Sequence, residues 1–85
     1  MRKVLYLLKN PLPSAETILS RQRGSDQSIS VVLLQEAVGQ RDVPADRVYV
    51  LSDDAVTRQI ESVYPGISYQ EMLTMMFEAD SVVAL

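Results

Sequence analysis

Three carboxylates, Glu36, Asp53 and Asp54, are the side chains of this 85-residue chain whose types and spacing best suit chemistry. Each comes soon after an apolar run, the first after ISVVLL at 29–34 and the other two after VYVL at 48–51. Carboxylate oxygens are ligands that divalent cations prefer, and paired carboxylates can exchange protons with a substrate. One hypothesis is therefore a small-ligand or divalent-metal site, and a less favoured one is an enzyme that uses the same groups.

A structural role for the two aspartates competes with that hypothesis. They follow Ser52 at the start of a predicted helix, where serine can cap the first turn and acidic side chains complement the positive end of the helix dipole. The helix is predicted from apolar residues that share one face, namely Val56, Ile60 and Val63. It should close at Tyr64-Pro65-Gly66, and we favour the structural interpretation of Ser52, Asp53 and Asp54.

The absence of cysteine and histidine excludes much of enzyme chemistry. The sequence contains neither residue, so it lacks a thiolate nucleophile, the commonest general base and the commonest metal ligand. The isolated glycines, Gly24, Gly39 and Gly66, match neither common phosphate-binding motif. We therefore expect a protein that is not an enzyme, with no catalytic residue, no cofactor and no bound metal.

The elements that must position these groups alternate between strands and helices. Apolar runs predict strands at 3–8, 29–34, 47–51, 67–68 and 81–85, and apolar spacing predicts helices at 14–23, 52–64 and 69–79. This order predicts a single α/β domain over residues 1–85, with three α/β/α layers, flavodoxin-like winding and a small, mostly parallel sheet of about five strands. The connection before the third strand is short, so a β-hairpin is the alternative to a parallel crossover there.

Parallel strands would bring these polar residues to one edge of the sheet. In open α/β sheets ligands gather beyond the carboxyl ends of the strands, which predicts a rim formed by Gln35, Glu36, Ser52, Asp53 and Asp54. We expect this rim to consist mainly of helix starts and partner-facing surface.

The last predicted helix carries three methionines and a helix-start motif. Ser68 and Glu71 match the capping-box pattern S-x-x-E. Helical spacing assigns Met72 and Met76 to the core, whereas Met75 lies further round the helix and is the better candidate for contact with a partner.

Charge and hydropathy restrict the partners. The formal net charge is −3, and the eight basic residues are scattered, so we expect no direct nucleic-acid binding. No apolar run approaches the roughly 20 residues that span a bilayer, and the amino terminus lacks a signal cleavage pattern. We expect a cytoplasmic protein that does not bind membranes.

Three motifs resemble the DsrH/TusB branch of the DsrE/DsrF/DsrH sulfur-relay family. They are LLQEAV at 33–38, RVYVLSDDAVTR at 47–58 and ISYQEML at 67–73, followed by a short final strand. The matching positions are Gln35, Glu36, Val38, Val48, Tyr49, Leu51, Asp53, Asp54, Arg58, Ile67 and Tyr69. The resemblance extends over nearly the whole chain and matches least between Asn10 and Ser28.

The resemblance implies a cytoplasmic α/β/α domain that works in oligomers with related DsrE- or DsrF-like subunits or with itself. Such complexes pass persulfide sulfur between proteins, for tRNA wobble-uridine thiolation or for dissimilatory sulfur oxidation. A persulfide needs a thiol, and this chain has none. The leading expectation is therefore a non-catalytic, structural subunit of a sulfur-relay complex. Both pathways and both kinds of oligomer stay open.

Overall fold

The computed structural model describes residues 2–10, 27–41, 43 and 45–84. The helix expected at 14–23 lies outside these residues. The described elements are five strands, a 3-10 helix and two α-helices. In chain order they are β1 (Arg2–Leu8), β2 (Gln27–Leu33), the 3-10 helix (Gln35–Gly39), β3 (Arg47–Leu51), α1 (Ser52–Thr57), β4 (Gly66–Ile67), α2 (Tyr69–Glu78) and β5 (Ser81–Ala84).

The five strands form one sheet in the order β4-β3-β2-β1-β5, and all four pairings are parallel. This arrangement confirms the predicted α/β fold with a small parallel sheet. The hairpin alternative between β2 and β3 is wrong. A parallel crossover needs about a dozen residues, and the segment between the two strands provides them, partly as the 3-10 helix that buries Ala37 and Val38.

Alternate side chains of β1, β2 and β3 form the core on the first face of the sheet. Ile29, Val31 and Leu33 of β2 are completely buried there and pack with neighbouring strands and with the 3-10 helix. Tyr6 belongs to the same core, and burial raises the pKa of its phenol. This face is closed because apolar side chains of the 3-10 helix, α1 and the segment after α1 all pack on it.

The second face of the sheet carries a smaller core beneath α2. Leu5, Val32 and Leu51 are buried there with Met72 of α2, which confirms the predicted core position of Met72. Met76, also assigned to the core, is only partly buried against this cluster. The second face is therefore less completely covered than the first.

Helix α1 is shorter than the apolar spacing predicts. It ends at Thr57, and Gln59 has a positive φ of 54°. The Gln59 N–H donates to Val56 O and the Ile60 N–H donates to Ala55 O, which is the hydrogen-bond pattern of a Schellman motif. Ile60 still packs on the first-face core, whereas Val56 and Val63 are exposed, so the predicted common apolar face is wrong for those two residues.

Helix α2 begins as the sequence predicts. The Ser68 hydroxyl accepts a hydrogen bond from the Glu71 N–H at 3.0 Å, and the Glu71 carboxylate accepts from the Ser68 N–H at 3.1 Å. These reciprocal bonds confirm the capping box and fix the start of the helix directly after β4. Among the described residues, no helix is both long enough and apolar enough to cross a membrane.

Candidate functional site

The structure brings six of the seven candidate residues together at the carboxyl ends of β2 and β3. Gln35 and Glu36 open the 3-10 helix after β2, while Ser52, Asp53 and Asp54 form the first turn of α1 after β3. Arg58 follows the last turn of α1 and reaches back to Glu36. These six residues form the carboxyl rim.

Asp54 connects the two halves of the carboxyl rim. Its carboxylate accepts a hydrogen bond from the Gln35 backbone N–H at 2.7 Å. Gln35 has a φ of 52°, a left-handed conformation that is costly for a residue with a Cβ. Asp54 thus holds the strained turn by which the chain leaves β2, whereas the neighbouring Asp53 is exposed.

Arg58 and Glu36 form an ion pair on the surface of the carboxyl rim. The Arg58 Nη2 lies 3.1 Å from Glu36 Oε1, and Arg58 Nε donates to the same oxygen at 3.3 Å. The side chains are 29% and 65% exposed, so solvent screens their attraction. The pair links the 3-10 helix to the end of α1.

Ser52 does not cap α1, so that expectation is wrong. The helix starts at Ser52 itself because β3 continues to Leu51, which occupies the N-cap position and makes no side-chain cap bond. The Ser52 side chain instead lies against β4. A Cβ at Gly66 would approach Ser52 Oγ more closely than any normal contact, so the absence of a side chain at Gly66 lets β4 approach the start of α1.

The carboxylates of the rim do not converge on a common point. Within the described ranges, no group of three or more carboxylates is placed so that it could hold a metal ion. Glu36 pairs with Arg58, and Asp54 accepts from the Gln35 N–H. The contacts of Glu36 and Asp54 therefore link one element of the fold to the next.

Met75 is the one candidate that lies away from the carboxyl rim. It is half-buried between α2 and the second face, where it packs against the core beneath α2. It lines two clefts together with Tyr49 of β3, one of about 230 Å³ and one of about 280 Å³. Met75 is thus partly core and partly cleft wall.

Reasoning from the sequence missed the polar residues that line the 230 Å³ cleft on the second face. Ser28 and Ser30 of β2 line the 230 Å³ cleft, with Lys3 and Arg47 from the neighbouring strands. Two serines at alternate positions in a strand project from the same face, which was the available signal. The cleft has both positive and negative groups, since Glu78 also lines it, so its charge specifies no ligand.

Comparison with known proteins identifies the fold. No protein-family model matches the sequence, and no curated protein matches it. The crystal structure of the YchN protein from E. coli is similar over 100% of both chains, with a TM-score of 0.72 and 14% sequence identity. At that identity the similarity establishes the fold alone and does not distinguish a DsrH/TusB branch. The chain therefore has the DsrEFH-like fold.

Proposed function

We propose that this protein is a non-catalytic, structural subunit of a cytoplasmic sulfur-relay assembly of the DsrH/TusB type. The single observation that carries the proposal is a DsrEFH-like fold without any cysteine. The proposed assembly serves tRNA wobble-uridine thiolation or dissimilatory sulfur oxidation. Its other subunits are DsrE- or DsrF-like proteins that contain a cysteine.

The missing cysteine defines what this subunit can contribute. A carried sulfur must be bonded to a thiol-derived sulfur, and neither the thioether of methionine nor the hydroxyl of serine forms that bond. The chain has four methionines and no cysteine. A role in assembly, or in shaping the active site of a neighbouring subunit, is compatible with that composition.

The contacts of the carboxyl rim support a structural role. Asp54 accepts from the Gln35 N–H, and Glu36 pairs with Arg58. A general acid or base must be free to reach its substrate, whereas Asp54 holds the turn after β2 and Glu36 links the 3-10 helix to the end of α1. The rim can present its outer, polar side to another subunit without any reaction taking place on it.

The first experiment mixes the purified chain with a cysteine-bearing DsrE- or DsrF-like subunit from the same organism. Size-exclusion chromatography with light scattering should show a defined hetero-oligomer that contains both proteins. A cysteine-bearing α/β protein of unrelated fold serves as the control and should elute separately. A chain that stays apart from every such DsrE- or DsrF-like subunit would contradict the proposed assembly role.

The second experiment follows the sulfur. The cysteine-bearing subunit is loaded with labelled persulfide from a cysteine desulfurase and cysteine, and both proteins are then separated under denaturing, non-reducing conditions. The label should remain on the partner, and none should be bonded covalently to this chain. Labelled sulfur attached to this chain would refute a purely structural role.

A further inference from the structure

Four exposed apolar side chains lie on one side of the molecule, on α2 and β5. Tyr69, Leu73 and Phe77 of α2 are 56%, 37% and 90% exposed, and Val82 of β5 is 40% exposed. The three helix residues are spaced by four, which aligns them along α2. Val82 pairs in register with Leu5, which is buried beneath α2, so Val82 projects from the same face of the sheet. These four residues form the α2–β5 surface.

The charges of α2 are kept away from this surface. Glu71 and Glu78 are the helix's two charged residues, and each lines a cleft with Tyr49 of β3. They therefore project toward β3, whereas β5 lies at the opposite edge beyond β1. Asp80, between α2 and β5, is engaged as an acceptor for the Lys3 N–H at 2.7 Å. An identical surface could approach without bringing the α2 glutamates against each other.

Strand β5 is an edge strand without the usual protection. In the part of the chain that the structure describes, it pairs with β1 alone, and its four residues, SVVA, include neither a charge nor a proline. The opposite edge, β4, is only two residues long. Edge strands that stay unpaired are typically very short, charged or interrupted by proline, and β4 satisfies this rule better than β5.

A second copy of this chain could cover both the β5 edge and the exposed apolar side chains. Two β5 strands related by a two-fold axis would pair antiparallel, giving one continuous sheet of ten strands from two sheets of five. Both α2 helices would then lie on the same face of that sheet, with their apolar lines on either side of the axis. A single contact would cover the open edge and the apolar side chains together.

The size of the apolar surface agrees with such a contact. The four side chains expose on the order of 400 Å² of mostly apolar area, given their sizes and exposed fractions. The largest apolar patch on a monomeric protein is typically about 300–600 Å² and is often functional, so the α2–β5 surface has the size of a contact site. A stable interface buries about 800 Å² per partner, so the four side chains supply about half, and the β5 edge together with the surface around it must supply the rest.

We propose that the α2–β5 surface is an isologous interface through which two copies of this chain associate. The inference rests on the proposed assembly role and specifies the partner and the surface for it. The pairing gives the assembly a two-fold axis at β5. The carboxyl rims and the 230 Å³ clefts of both copies would stay free for contact with other subunits.

Analytical ultracentrifugation of the purified chain and two variants tests this interface. Phe77→Glu places a charge on the α2–β5 surface at a position 90% exposed, and the control Val56→Glu places one on α1, at a position 75% exposed. The wild type and the control should dimerise with similar affinity, and Phe77→Glu should raise the dimer dissociation constant at least about tenfold, as expected for a residue at the centre of an interface. Hydrogen exchange should show β5 amides protected in the dimer and exposed in Phe77→Glu.

Other outcomes would overturn the interface. A wild type that stays monomeric up to about 1 mM, or a dimer unaffected by Phe77→Glu, would refute it. Folding of the variant is checked by circular dichroism, and Leu73→Ala provides a milder second variant that should weaken the dimer in the same direction. Binding of a cysteine-bearing DsrE- or DsrF-like subunit is measured separately. If Phe77→Glu abolishes that binding while the wild type alone is monomeric, the surface belongs to the other subunit and self-association is refuted, although the assembly role survives.

Discussion

The carboxyl rim and the α2–β5 surface differ in how far their groups are already satisfied within the domain. At the rim, the Asp54 carboxylate accepts the Gln35 N–H at 2.7 Å and Glu36 pairs with Arg58 at 3.1 Å. On the α2–β5 surface, Phe77 is 90% exposed, and among the described residues β5 pairs with β1 alone. Two of the three carboxylates that look most reactive in the sequence, Glu36 and Asp54, thus have partners within the domain, whereas the apolar side chains of the α2–β5 surface are exposed to solvent.

This difference indicates where the domain should interact with other molecules. An exposed carboxylate is well solvated by water and gains little from a partner. Exposed apolar surface is unfavourable in water, and an edge strand can pair with another chain. A structural subunit needs a surface of the second kind, and it needs no reactive group. Four predictions separate the two regions further, in order of decreasing expected effect.

The largest contrast is between two leucines in different environments. Leu33→Ala, at the buried end of β2, should lower the free energy of unfolding by about 2–5 kcal/mol because it leaves a cavity in the first-face core. Leu73→Ala, on the α2–β5 surface, should cost under about 1 kcal/mol in the monomer. Urea denaturation at low protein concentration measures both. Equal losses would show that α2 is packed as tightly as the core.

The approach of β4 to α1 depends on Gly66. Gly66→Ala should destabilise the domain by about 1–2 kcal/mol, because the new methyl group collides with Ser52 Oγ. Ser52→Ala in the same chain removes the colliding atom, so the double variant should recover at least half of that loss in thermal or urea unfolding. A double variant no more stable than Gly66→Ala would mean that the Ser52 hydroxyl does not limit the approach.

Asp53 and Asp54 should contribute differently to the free energy of unfolding, although they are adjacent in the sequence. Asp54→Ala removes the acceptor for the Gln35 N–H and should cost about 1 kcal/mol, less than a buried charged hydrogen bond because the site is partly solvated. Asp53→Ala is the matched control and should change stability by under about 0.5 kcal/mol. Equal effects in urea denaturation would remove the assigned role of Asp54 in holding the turn.

The ion pair of the rim should have the smallest effect. A double-mutant cycle of Arg58→Ala and Glu36→Ala should give a coupling of about 0.2–1 kcal/mol at low salt, because both side chains are partly exposed. The coupling should fall further in 0.5 M salt through screening. A coupling of several kcal/mol that is independent of salt would show that the rim is more rigid and more desolvated than its contacts indicate.

Strand and capping patterns predicted most of the fold. The apolar runs located β1, β2, β3 and β5, and S-x-x-E at 68–71 located the start of α2. These patterns involve residues that are close in the sequence, so they can be recognised without knowledge of the tertiary structure. The end of α1 was missed because Gln59 occupies a left-handed position that usually favours glycine, and no glycine marks it in the sequence.

The sequence predicts where the carboxyl rim lies but not the hydrogen bond and the ion pair that its residues form. Strand direction alone brought the polar residues at 35–36 and 52–54 to one edge, because parallel strands end together. Asp54, and not Asp53, accepts the hydrogen bond from the Gln35 N–H. This choice depends on the rotation of α1 about its axis and on the left-handed turn at Gln35, and the periodicity of the sequence determines neither. Phe77 follows Met76, which helical spacing assigns to the core, so the sequence alone does not reveal that Phe77 is 90% exposed.

A single sedimentation experiment can compare the carboxyl rim with the α2–β5 surface. A rim variant, Glu36→Gln with Asp53→Asn and Arg58→Gln, removes charge at the carboxyl ends of the strands, and Phe77→Glu alters the α2–β5 surface. We expect the rim variant to dimerise with the dissociation constant of the wild type, whereas Phe77→Glu should sediment as a monomer at the same concentration. A rim variant that sediments as a monomer while Phe77→Glu stays dimeric would contradict the proposed α2–β5 interface.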